Sequence, residues 1–86
     1  MGGRMRKSRS SRGASPPDNP LVRALASRLA AWRKQRGLPL KAVAEAMGVS
    51  VAIVCEWENG HRFPSAGHLQ ALAEHTGIPA WRLIEP

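Results

Sequence analysis

The segment 40-LKAVAEAMGVSVAIVCEW-57 decides the fold, because it places a tight turn between two short apolar helices. Two helices that cross closely need a small side chain at the crossing, and Ala44 supplies it. Gly48 lies where the turn requires a left-handed backbone, which glycine adopts without steric cost. Ser50 is a good N-cap for the next helix. The apolar residues on the faces that would meet inside are Val43, Met47, Val49, Val54 and Trp57.

Signals for further helices lie on both sides of this segment. Asn19 or Asp18 can cap a first helix, and Pro20 suits its first position, where the missing N–H costs nothing. That helix covers about residues 20–36 and is stopped by Gly37. Its apolar residues recur at helical spacing: Leu21, Leu25, Leu29 and Trp32.

The remaining boundaries follow from proline, serine and glycine positions. Pro39 opens the second helix and the third runs to about Glu58, before an Asn-Gly turn. A fourth helix begins at Pro64-Ser65 and ends at Gly77, and Pro79 begins a short fifth helix. No stretch alternates with period two for long enough to indicate a strand. The sequence therefore predicts an all-α domain of five short helices.

Charge divides the chain into two parts. Its 86 residues suffice for one small domain and carry a net charge of +7. Residues 1–19 hold five of the thirteen basic side chains and almost nothing to bury. We therefore predict a disordered basic arm at 1–19 and a folded domain at 20–86. The positive charge favours a polyanionic partner such as nucleic acid, although a solubilising arm remains an alternative.

Composition argues against several other classes of protein. One cysteine, Cys55, excludes an internal disulfide, and no apolar run reaches the ~20 residues of a membrane span. We expect a cytoplasmic protein that is not an enzyme and has no cofactor or small-molecule ligand. His68 and His75 would lie about 10 Å apart on one helix, too far to share a metal ion. Cys55 and His61 lack a third group that would complete a nucleophilic site.

Three stretches resemble the lambda-repressor-like helix-turn-helix family, also called the XRE or Cro/repressor type. The stretches are LAAWRKQRGLPLKAVAEAMGVS, VCEWENGHRFPS and LQALAEHTGIPAWRLI, and the match covers about residues 25–84. The resemblance implies a compact five-helix domain that binds double-stranded DNA as a transcriptional regulator of bacterial or phage type. Its third helix, about 51–58, would enter the major groove.

The resemblance also assigns roles to individual residues. Arg33 and Glu58 match a charged pair that ties the first helix to the end of the recognition helix. The expected phosphate contacts are Arg33, Leu40, Lys41, Asn59, Gly60, His61 and Arg62. The expected base-facing residues are Ser50, Val51, Ala52, Cys55 and Glu56.

This chain departs from the family at the positions that would read DNA. Leu40 replaces a polar residue that commonly grips a phosphate. None of the base-facing side chains can make the bidentate contacts that arginine makes to guanine. Val51 and Ala52 can contact thymine methyl groups, and Glu56 can accept a hydrogen bond from cytosine.

The sequence leaves open what the domain binds and whether it forms a dimer. An apolar third helix also suits a protein-interaction module of the same fold, such as an antitoxin-like protein or an adaptor. A coating of nucleic acid by the basic arm alone is a third possibility. A homodimer through the C-terminal helix, with Trp81 and Ile84 in the contact, would allow paired half-sites to be bound.

Overall fold

The computed structural model describes residues 19–86, and the predicted basic arm lies outside this range apart from Asn19. The predicted all-α fold is confirmed: the described residues form five helices and no strand. The helices are α1 (Pro20–Gln35), α2 (Leu40–Met47), α3 (Val51–Glu58), α4 (Ala66–Thr76) and α5 (Ala80–Leu83).

Side-chain caps define where three of these helices begin. The Asn19 side chain accepts hydrogen bonds from the first backbone N–H groups of α1. Ser50 caps α3 by accepting from the Ile53 N–H, and Ser65 caps α4 by accepting from the His68 N–H. These caps fix the helix starts close to the positions that the sequence predicts.

The turn between α2 and α3 has the geometry that its sequence predicts. Gly48 has φ 70°, in the left-handed region where a Cβ would be strained. The Val49 N–H donates to the Ala44 carbonyl across the turn at 3.0 Å. Ala44 is buried at the crossing of the two helices. The turn therefore sets the direction in which α3 leaves α2.

All five helices contribute to one hydrophobic core. Its largest fully buried side chain is Trp57 of α3. The buried residues around it are Leu25, Leu29, Trp32, Val43, Ala44, Val54, Leu72, Ala73 and Leu83. Met47 and Val49 pack against this cluster as predicted, but Leu21 is exposed at the start of α1. Leu21 lies in the first turn of α1, where Asn19 and Pro20 are exposed as well.

The packing leaves one side of α3 toward solvent. α3 packs against α1 and α2, while α5 packs against α1 and α4. Val54 and Trp57 are the buried residues of α3, whereas Val51 and Ala52 are exposed. Within residues 19–86 no helix has both the length and the apolar character needed to cross a bilayer.

Candidate nucleic-acid interface

The outward side of α3 carries the five residues that the sequence predicts to face bases. Ala52, Cys55, Glu56 and Asn59 lie on one helical face, because residues three and four apart are neighbours on a helix. Ala52 and Asn59 are exposed, and Cys55 and Glu56 are half-buried. Val51 lies at the exposed start of the helix. Ser50 precedes it, with its hydroxyl oxygen occupied as the cap at 3.2 Å from the Ile53 nitrogen.

An ion pair joins α1 to the end of α3. Arg33 donates through Nε to Glu58 Oε2 at 2.7 Å and through Nη2 to Oε1 at 2.9 Å. Its Nη1 donates to the Leu38 carbonyl at 2.9 Å. The side chains of the pair are only 14% and 9% exposed. The hydrogen bonds to Glu58 raise the pKa of Arg33 above its ordinary value.

This geometry shows one of the two predicted roles of Arg33. The expected pair with Glu58 is present, but each guanidinium nitrogen already donates to an acceptor within the protein. Three of its five N–H donors are therefore used within the protein, in a site where the side chain is only 14% exposed. Arg33 therefore connects α1 to α3, and its phosphate contact stays a prediction that rests on its two remaining N–H donors.

A second ion pair lies on the outward side of α3, and sequence reasoning did not predict it. Arg62 donates through Nε to Glu56 Oε1 at 2.6 Å. Its side chain is 54% exposed and that of Glu56 is 42% exposed. The two residues are six positions apart and lie on either side of the helix end. Helical spacing cannot reveal such a contact, because it depends on how the chain turns after α3.

The backbone N–H groups of the turn after α3 donate to carbonyls within the protein. The N–H groups of Asn59, Gly60 and His61 donate to the carbonyls of Cys55, Trp57 and Glu56 respectively. Gly60 is also buried, with φ 76°. These N–H groups satisfy the last carbonyls of the helix. Among these three residues, the exposed side chains of Asn59 and His61 remain as candidates for a phosphate contact.

The start of α2 offers a different candidate for phosphate. The N-cap, Pro39, makes no side-chain capping hydrogen bond, so the first turn of α2 relies on other acceptors. Leu40 is half-buried and packs against the core, and its side chain has no polar group that could bind a phosphate. Lys41 beside it is exposed. The helix start and Lys41 together present positive charge at this end of α2.

The remaining histidines and tryptophans belong mainly to packing. His68 lies 5.5 Å from Trp57 and His75 lies 5.2 Å from Trp32, measured between ring centroids. These ring contacts give both histidines a packing role that the sequence did not indicate. No three His, Cys, Asp or Glu residues of the described part are grouped to hold a metal ion. Trp81 differs from the other two tryptophans because it is 65% exposed.

Comparisons with known proteins give a consistent result. The sequence profile of the family described as "Helix-turn-helix" matches residues 29–80, more than half of the chain. The chain is 41% identical over 59 residues to YazB of Bacillus subtilis, named as an uncharacterized HTH-type transcriptional regulator. The match covers 69% of this chain and 86% of YazB.

Two further matches extend this result. DdrOP3 of Deinococcus deserti, an HTH-type transcriptional regulator, is 41% identical over 61 residues, which is 71% of this chain. That match spans 47% of DdrOP3, so the chain corresponds to about half of that relative. The crystal structure of the hypothetical transcription factor NHTF from Neisseria shares the fold, with a TM-score of 0.70. The identity there is 22%, and 88% of each chain is covered.

Proposed function

The chain belongs to the XRE-type helix-turn-helix family of DNA-binding transcriptional regulators, and we propose that it binds specific sites by inserting α3 into the major groove. The observation that carries the proposal is the division of α3 into two faces. Its inner face is buried through Val54 and Trp57, and its outer face is left to solvent. A helix so placed can enter the major groove without unfolding any packed element.

The base-facing part of the proposal rests on Val51, Ala52 and Cys55. Val51 and Ala52 are exposed at the N-terminal end of α3, where recognition helices contact base edges. Their methyl groups suit thymine methyl groups. Ser50 marks the start of this surface, although its hydroxyl oxygen is the cap of α3. We therefore propose sites that contain A·T pairs opposite the first turn of α3.

Phosphate contacts are proposed on both sides of the groove. Lys41 and the start of α2 would face one strand, since helix N-termini favour anions. The exposed side chains of Asn59 and His61 would face the other strand from the turn after α3. The basic residues of 1–19 would add contacts that do not depend on base sequence. We propose a regulator of bacterial or phage type that acts in the cytoplasm, where the DNA is held.

A homodimer is the proposed binding unit. One small domain contacts only a few base pairs, and paired half-sites supply the specificity that one domain lacks. Trp81 is 65% exposed and Ile84 is half-buried beside the end of α5, so both can contact a second copy. Sedimentation should show a concentration-dependent dimer that Trp81→Ala weakens. A monomer at every concentration, with and without DNA, would contradict this part of the proposal.

Selection of duplexes from a random pool tests the function. The protein should enrich a motif with two-fold symmetry. Its affinity should fall steeply as salt rises, and the slope of log affinity against log salt concentration should be about −0.9 for each phosphate contact. Lys41→Gln removes one expected phosphate contact, so it should make that slope shallower by about 0.9 without changing the motif. Lys34→Gln, an exposed charge in the last turn of α1, is the matched control. Binding without any enriched motif would contradict specific recognition.

A further inference from the structure

We infer that Arg62 and Glu56 together read a G·C base pair in the major groove, with Arg62 donating to guanine and Glu56 holding its guanidinium. The inference rests on the proposed insertion of α3 and replaces the expected role of Arg62 at a phosphate. It also supplies what α3 lacks, because no side chain of Val51–Glu58 can make the two parallel donations that guanine accepts.

The chemistry of the pair leaves the required donors free. Arg62 uses Nε toward Glu56 Oε1, and within residues 19–86 its two terminal nitrogens have no hydrogen-bond partner. Guanine presents O6 and N7 as acceptors in the major groove, and a guanidinium can donate to both. Glu56 Oε2 likewise has no partner within residues 19–86, and cytosine N4 of the same base pair is a donor. The pair thus carries donors and an acceptor that match one G·C edge.

The backbone around Arg62 is held to α3. The His61 N–H donates to the Glu56 carbonyl at 2.9 Å, so Glu56 binds this turn through both its main chain and its side chain. On one side Gly60 is buried against Val22, and on the other Pro64 is buried. Holding the long side chain before DNA arrives reduces the ordering cost of binding.

The position of the carboxylate favours a base over a phosphate as the partner of Arg62. A phosphate that approached the guanidinium would also approach Glu56, whose charge has the same sign. The acceptors of guanine are uncharged, so Glu56 can stay in place while Arg62 donates to them. The arrangement therefore fits the groove floor better than the DNA backbone.

The environment of the pair also argues against a role in folding. Arg62 is 54% exposed and Glu56 is 42% exposed, and ion pairs of this kind add little to stability. Arg33 and Glu58 already connect this end of α3 to α1. The pair of Arg62 and Glu56 is therefore available to bind DNA.

The test measures base discrimination and salt dependence on the same variants. A duplex selected by the unmodified protein is compared with one in which the G·C pair opposite the end of α3 is changed to A·T. Arg62→Gln should lose about ten-fold or more in affinity for the first duplex and much less for the second. Arg62→Lys keeps the charge and should keep the salt slope, yet lose most of the discrimination, because a lysine ammonium lacks the planar fork.

Two further variants sharpen the result. Glu56→Gln should lower discrimination several-fold, because the guanidinium loses its charged anchor. Lys34→Gln removes an exposed charge on α1 and should leave the discrimination ratio unchanged.

The inference is overturned if Arg62→Gln weakens both duplexes equally and makes the salt slope shallower by about 0.9, since Arg62 would then contact a phosphate. Selected sites without a G·C pair at this position would overturn it as well. In either case the proposed function stands, because the protein still binds a motif. Failure of the unmodified protein to prefer any duplex would refute the proposed function itself.

Discussion

The two ion pairs of α3 have the same chemistry and opposite surroundings. Arg33 meets Glu58 on the inner side, where both side chains are nearly buried and the arginine donates from all three nitrogens. Arg62 meets Glu56 on the outer side, where both are about half exposed and, within residues 19–86, the arginine donates only from Nε. The inner pair is nearly buried by the fold, whereas the terminal nitrogens of Arg62 have no hydrogen-bond partner within residues 19–86. One helix can thus be fixed by one face and bind through the other.

The largest expected effect lies in the core beneath the inner pair. Trp57→Ala should lower the free energy of unfolding by about 3–5 kcal/mol, because it leaves a large cavity at the centre of the domain. Urea or thermal unfolding followed by circular dichroism measures this change. Trp81→Ala, measured at a concentration where the protein is monomeric, should change stability by about 0.5 kcal/mol or less. Similar losses for both variants would mean that the two tryptophans do not differ in burial.

The two acids test the comparison of the pairs directly. Glu58→Ala should cost about 3 kcal/mol, because it leaves the enclosed Arg33 without its carboxylate partner. Glu56→Ala should cost about 1 kcal/mol or less, since Arg62 remains hydrated. The same unfolding experiment serves both variants. If Glu58→Ala is no more destabilising than Glu56→Ala, the inner pair does not stabilise the position of α3.

The turn that directs α3 should show a smaller effect with a defined sign. Gly48→Ala should destabilise by about 1–2 kcal/mol, because φ is 70° and the cost is one of backbone conformation alone. Gly67→Ala is the matched control, since Gly67 lies in α4 with open space around it. It should stabilise slightly, by up to about 1 kcal/mol. Changes of the same sign at both glycines would contradict the left-handed turn.

The outer face should give the smallest effect on stability. Val51→Ser should change the free energy of unfolding by about 0.5 kcal/mol or less, because Val51 is exposed. It should nevertheless weaken binding to the selected duplex several-fold by removing contact with thymine methyl groups. Fluorescence anisotropy on labelled duplexes measures the affinity. A stable variant with unchanged affinity would remove Val51 from the reading surface.

Local signals in the sequence were enough to predict the fold. Ser50 and Ser65 have the side chains that cap helices, and Gly48 marks the left-handed turn, so the predicted helix boundaries lie close to the observed ones. The buried position of Trp57 followed from helical spacing. The contact between Arg33 and Glu58 was implied by the resemblance to a known family and is present in the structure.

The details of the site were less accessible to sequence reasoning. The contact between Arg62 and Glu56 depends on the path of the chain after α3, which helical spacing does not describe. The turn at 59–61 closes back on the helix carbonyls through its backbone N–H groups, which the residue types alone do not reveal. Arg33 was assigned both a pair with Glu58 and a phosphate contact, and the structure shows the first of these through Nε and Nη2. Which acceptor a given donor contacts depends on distances in the folded chain, which the sequence does not provide.

Alkylation of Cys55 tests most directly whether the outer face of α3 binds DNA. It is the single cysteine of the chain, is half-buried on that face, and therefore reports on it without any mutation. If α3 enters the groove, saturating selected duplex should strongly slow the reaction of Cys55 with iodoacetamide, and high salt should restore the rate by dissociating the complex. An alkylation rate that stays the same when the duplex is shown to be bound would contradict the account, because α3 would then not face the DNA.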